Sequence, residues 1–188
     1  MITVIASYRS GSSAFCQKLS ELTGYKYNQD TLTGETIHTY FKEYPEARFT
    51  NPKQIHKIIP DQIKHWEDRG YFPVLDYIEP ATRFYLIREN ITEQIISWVR
   101  AQNSKAFHPF QDNWQVEVEE PVRVRQLENT EKMYAEILQR QSELYYRYPG
   151  VLVKYENIFS KETRYKRPDV EVPNWTSKLK IKNYFPGT

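Results

Sequence analysis

The clearest hydrophobic signal is a short β-branched run, Ile2-Thr3-Val4-Ile5-Ala6, which reads as a buried first strand. The polar loop Ser7-Tyr8-Arg9-Ser10-Gly11-Ser12-Ser13 follows it, and then Phe15, Leu19 and Leu22 recur at helical spacing up to a stop at Gly24. Strand, loop and helix thus follow one another at the start of the chain. Further on, Thr36 to Tyr44 reads as a short helix ended by Pro45. The stretch Gln54–Ile59 fits strand or helix equally and is interrupted by Pro60; Asp61–Arg69 reads as a helix ended by Gly70. Phe84-Tyr85-Leu86-Ile87 is a second buried strand. Asn90 and Glu93 have the spacing of a capping box before a helix whose apolar face is Ile91, Ile95 and Val99.

A long amphipathic segment from about Val122 to Tyr148 carries Leu127, Tyr134, Ile137, Leu138 and Leu144 on its inner face. Pro149-Gly150 breaks it, and Val151-Leu152-Val153 gives a third strand. Strands alternating with helices predict an α/β fold: one mostly parallel sheet covered on both faces, in a single domain over 1–188. The basic, Pro- and Tyr-rich end, about 161–188, has weak periodicity and reads as solvated surface, with a contribution to an anion site as the alternative.

Composition narrows this little. With 188 residues and 39% apolar content there is enough chain for one core, and a net charge of +2 gives no ground to expect a nucleic-acid partner. Cys16 is the single cysteine, so no internal disulfide and no thiolate zinc cluster can form. No apolar run approaches the ~18 residues of a spanning helix and no leader peptide is evident, so a soluble, cytoplasmic protein with no membrane partner is expected.

The loop after the first strand is the strongest chemical signal. In an open α/β sheet, ligands sit at the carboxyl ends of the strands. A helix starting near Ser12 presents unpaired N–H groups and the positive end of its dipole. Gly11 permits close approach, Ser10, Ser12 and Ser13 bring hydroxyls, and Arg9 brings a forked cation suited to phosphate or sulfate oxygens. Serine-rich turns also cap helices without binding anything, but the strand before this one and the arginine within it point to an oxyanion. A Walker-type loop needs G-x-x-x-x-G-K-[ST], which is not present here.

The loop S-Y-R-S-G-S-S resembles the 5′-phosphosulfate loop of sulfotransferases that use 3′-phosphoadenosine 5′-phosphosulfate (PAPS), usually close to P-[KR]-S-G-[ST]-[ST]. The segment R-F-Y-L-I-R-E-N-I-T-E-Q-I-I-S-W-V-R-A-Q, Arg83 to Gln102, is similar to the 3′-phosphate-binding strand and helix of that family, with Arg88 and Ser97 on its phosphate-holding positions. V-L-V-K-Y-E-N-I-F resembles the Y-E-[DN]-[LI] strand end of the same enzymes. The three segments cover about a third of the chain, in family order, and S-W-V-R-A-Q followed by His108 is closest to the bacterial trehalose 2-sulfotransferase-like branch. Tyr8 departs from the usual Pro, Ser13 stands where Thr is frequent, and the R-K-G-type motif of the animal cytosolic enzymes is missing.

The resemblance implies a P-loop-type three-layer α/β/α fold. It implies sulfuryl transfer from PAPS to an acceptor hydroxyl, on a carbohydrate or other small molecule, without a metal. Tyr8, Arg9, Ser10, Gly11, Ser12 and Ser13 would hold the phosphosulfate, and Arg88 and Ser97 the 3′-phosphate, in two separate cradles. By themselves Arg88 is also explained by a carboxylate partner at the sheet rim and Ser97 by packing. Arg9 would also act in catalysis, and the base that takes the acceptor's proton would be Glu35 or His38, one helical turn apart. His108 is a possible substrate contact, Lys57 a possible cofactor contact if its segment is a strand, and Arg164, Lys166 or Arg167 are substitutes for the missing motif. Two other readings stay open: a P-loop nucleotide kinase or phosphotransferase, and a non-catalytic module binding anions, glycans or nucleic acid.

Overall fold

A computed structural model describes residues 1–27, 53–68, 81–104, 120–159 and 171–186, with the backbone alone at 64–67. The first strand, β1 (Ile2–Ala6), is buried at all five positions, as a central parallel strand covered on both faces must be. The chain then forms α1 (Ser12–Thr23), a two-residue strand β2 (Lys26–Tyr27) and β3 (Gln54–Ile58). Next come α2 (Pro60–Asp68), β4 (Thr82–Ile87), α3 (Ile91–Ser104), α4 (Val124–Arg147) and β5 (Val151–Lys154), ending in the one-turn helix α5 (Tyr155–Ile158). A 3-10 turn, Ile181–Asn183, lies near the end.

The sheet order is β2-β3-β1-β4-β5, and every pairing is parallel. The fold is therefore α/β. Alternate residues divide the core between the two faces. On one face Ile2, Val4, Ala6, Ile55 and Leu86 pack with Phe15 and Cys16 of α1. On the other, Ile87 packs with Ile91, Ile95 and Val99 of α3 and with Leu127, Tyr134 and Leu138 of α4. From β1 the chain leaves toward α1 and β2; from β4 it leaves to the opposite face and toward β5. The carboxyl ends of these two neighbouring strands thus diverge, which opens a crevice between them. That topology puts residues 7–11 and residue 88 side by side.

Several expectations are refined. The ambiguous segment is a strand, because Ile55 and Ile58 bury against the sheet while its partner registers run in step with β1. Pro60 begins α2 rather than breaking an element, since the first helical position needs no N–H. Leu22 is 74% exposed, because α1 runs past the edge of the core before Gly24 stops it in a left-handed turn. Half of the Asn90/Glu93 box is made: the Glu93 N–H donates to Asn90 Oδ1 at 3.1 Å, while the Glu93 carboxylate turns to Arg88.

Within the end of the chain, Ile181 and Phe185 are buried in the α3–α4 cluster. The Glu131 carboxylate accepts from the Ser177 hydroxyl and the Lys178 N–H, both at 2.6 Å. Lys178, Lys180 and Lys182 are exposed, but residues 171–186 pack against the core rather than forming plain solvated surface. The proposed helix at 36–44 lies outside the described residues. No helix among the described residues is long and apolar enough to cross a membrane.

Candidate anion site at the ends of β1 and β4

The loop leaving β1 is bent by two left-handed residues, Arg9 at φ 57° and Gly11 at φ 81°. For arginine that conformation costs roughly 1–2 kcal/mol, so something must hold it. Alternation of this kind turns successive N–H groups toward one side and builds an anion-binding concavity. Gly11 is also required by space, because a Cβ there would overlap the Tyr155 ring. Gly11, at the N-cap of α1, has no side chain to accept from the first-turn N–H groups, which leaves the dipole end of that helix facing the loop.

Arg9, Ser97, Arg88, Lys57 and Ser13 are brought together here. Arg9 Nε donates to Ser97 Oγ at 3.1 Å. Arg88 Nη1 reaches the Arg9 carbonyl at 3.4 Å, and its Nη2 pairs with Glu93 at 2.6 Å. Lys57, on the neighbouring strand β3, donates from Nζ to Ser13 Oγ at 3.1 Å. The Arg88 guanidinium lies over the Tyr155 ring, 4.8 Å from its centroid, and the Phe159 ring packs against Tyr155 at a tilt, centroids 4.9 Å apart. Three cations and a helix N-terminus therefore meet on one short loop. Ser10 Oγ and Arg88 Nε are both buried there with no hydrogen-bond partner among the described residues, a cost of about 1–3 kcal/mol each that an incoming oxyanion would relieve.

Behind the loop stands a set of buried polar side chains. The Tyr8 carbonyl accepts from Gln94 Nε2 at 2.6 Å and from the Tyr134 hydroxyl at 2.7 Å. Gln94 Nε2 also lies 2.7 Å from Ser7 Oγ. The Tyr8 ring packs on Trp98 with centroids 4.4 Å apart, and burial together with the Asp61 charge pushes its hydroxyl up to about 12. Burial likewise raises Tyr134, so both phenols stay neutral. Cys16, below the loop, is pushed up to about 12 mainly by burial and is a packing residue rather than a nucleophile.

The two phosphate anchors read from the sequence lie against one another at the ends of neighbouring strands: Ser97 is bonded to Arg9 itself, and Arg88 to the Arg9 carbonyl. Ser97, midway along α3, faces the loop, and Glu93 in the first turn of that helix holds Arg88 in. The carboxylate partner that an isolated rim arginine would have is thus also present. Glu35, His38, His108, Arg164, Lys166 and Arg167 lie outside the described residues. Sequence reasoning undervalued Lys57, whose role depended on its segment being a strand, and missed Gln94 and Tyr134. Among the described residues, no group of three His, Cys, Asp or Glu side chains is placed to hold a metal ion.

Neither a family model, nor a curated protein, nor a solved structure matches the chain.

Proposed function

We propose that the chain is a PAPS-dependent sulfotransferase with a P-loop-like anion cradle, acting on the hydroxyl of a carbohydrate or other small molecule. The observation that carries this reading is the convergence of Arg9, Arg88, Lys57 and the Gly11-capped α1 N-terminus at the carboxyl end of the sheet. PAPS, with a phosphosulfate and a separate 3′-phosphate, makes use of all of them.

In this reading the loop N–H groups, Ser10, Ser12, Ser13 and Lys57 hold the phosphosulfate. Arg88 and Ser97 take the 3′-phosphate, which replaces Glu93 and Arg9 as their partners. An acceptor oxygen forms its bond to sulfur as the bond from sulfur to the bridging oxygen breaks. The electron pair leaves on the 5′-phosphate, and Arg9 together with Lys57 neutralises the charge that grows there. A base removes the acceptor's proton, with Glu35 or His38 assigned to that role by resemblance alone.

Calorimetric titration with 3′-phosphoadenosine 5′-phosphate (PAP), with ATP and AMP as controls, tests the reading. Binding of PAP in preference to both, weakened about 10–100-fold by Arg9→Ala or by Arg88→Ala, is the expected result. A folded sample that ignores PAP removes the reading; preference for ATP with magnesium-dependent turnover would favour a phosphotransferase instead.

A further inference from the structure

Loop residue Arg9 adopts a left-handed backbone conformation unfavourable for its side chain, in a turn at residues 8 and 9 where neither residue is a Gly or Asn that would favour it. Further support comes from the helices behind. The carbonyl before Arg9, that of Tyr8, receives two strong donors, the Gln94 amide at 2.6 Å and the Tyr134 hydroxyl at 2.7 Å. Both side chains are completely buried, so neither donor has water as an alternative partner. In a trans peptide the C=O and N–H point in opposite directions. Pinning the Tyr8 carbonyl toward α3 and α4 therefore fixes the whole Tyr8–Arg9 peptide plane and turns the Arg9 N–H away from those helices. The same Gln94 amide lies against Ser7 Oγ, which fixes the preceding residue too.

We infer that Gln94 and Tyr134 are positioning residues of the anion site, holding the Tyr8–Arg9 peptide so that Arg9 stays left-handed and presents its N–H and guanidinium to the ligand. The inference rests on the reading of this loop as an anion cradle. It adds two residues that no feature of the loop itself points to. Gln141 provides an internal comparison: it is as buried as Gln94 and also donates to two carbonyls, at 3.0 Å each, but those belong to Ile5 and Leu86 in the strands. A purely structural role for buried amides would make the two glutamines equivalent.

The experiment compares Tyr134→Phe, Gln94→Met and Gln141→Met by two readouts. One is the Arg9 amide cross-peak with its Cα and Cβ shifts in isotope-labelled protein, which report the backbone conformation without any ligand. The other is PAP affinity by calorimetry. Tyr134→Phe, which keeps the ring and removes one donor, is expected to move the Arg9 signals and weaken PAP about 3–10-fold; Gln94→Met should do more. Gln141→Met should lower the melting temperature as Gln94→Met does, yet leave the Arg9 signals and the affinity in place. Arg9 signals unmoved by the first two variants, or moved equally by Gln141→Met, would overturn the inference. Should Gln94→Met not fold, Tyr134→Phe decides alone. If the wild type binds no PAP, the nucleotide reading fails while the Arg9 signals still settle this one.

Discussion

Arg9 Nε and Ser97 Oγ are 3.1 Å apart across 88 positions of chain. The contact joins the loop after β1 to the middle of α3 and makes one cluster of what the sequence presents as two distant motifs. It also gives the pair a measurable coupling. On the proposed reading both contact the ligand, so Arg9→Ala and Ser97→Ala should each weaken PAP binding, by about 10–100-fold and about 3–10-fold respectively. In the double variant the two losses should fall short of additive by about 1 kcal/mol, since residues in contact do not act independently. Calorimetry on the four proteins checks this, and strict additivity would separate Ser97 from the site.

Glu93 competes with any anion for Arg88, because its carboxylate already pairs with Nη2 at 2.6 Å. Glu93→Gln removes that charge while keeping the side chain's shape. PAP affinity is expected to rise about 2–5-fold, in line with the modest worth of a pair whose carboxylate is half exposed. A fall in affinity would instead make Glu93 the residue that aims Arg88 at the ligand.

What the sequence made legible is chemistry carried by neighbouring residues. Ile2–Ala6, the loop and α1 follow from one another because apolar run, turn residues and helix periodicity lie within a single short stretch. Arg88 and Ser97 were singled out by resemblance to a family motif rather than by local pattern, since a serine on a helix is as readily a packing residue. The Gln94–Tyr8 bond was not legible, since it spans 86 positions and a glutamine on a helix carries no mark of the partner it will meet. Leu22 misled because periodicity tells which face a residue shares but not where the core ends. The two-residue strand β2 is too short for any alternation to register. Lys57 needed the sheet order: only β3 beside β1 brings its ammonium to Ser13.

Gly11→Ala should damage the loop through two separable effects. The left-handed φ of 81° costs an alanine about 1 kcal/mol, and the added methyl collides with the Tyr155 ring. Together they should destabilise the protein by about 2–3 kcal/mol in urea unfolding. In a Tyr155→Ala background the collision is gone, so the same substitution should cost only about 1 kcal/mol. An undiminished cost in that background would mean that Tyr155 does not close over Gly11.

His56 makes the fold acid-sensitive independently of any ligand. It is buried on β3, and that burial, with the nearby N-terminal ammonium adding to it, lowers its pKa from 6.5 to about 4. The unfolded chain therefore takes up a proton at a higher pH than the folded chain does. Stability from this group is complete above 6.5 and is lost as the pH falls from there toward about 4. Between about pH 7.5 and about pH 5 the loss should reach roughly 2 kcal/mol, seen as a drop in the urea midpoint with little change in slope. His56→Leu removes the titrating group and keeps a buried apolar side chain between the sheet and its cover. Its midpoint should be flatter over the same interval; an equally steep decline in the variant would assign the acid sensitivity to other groups.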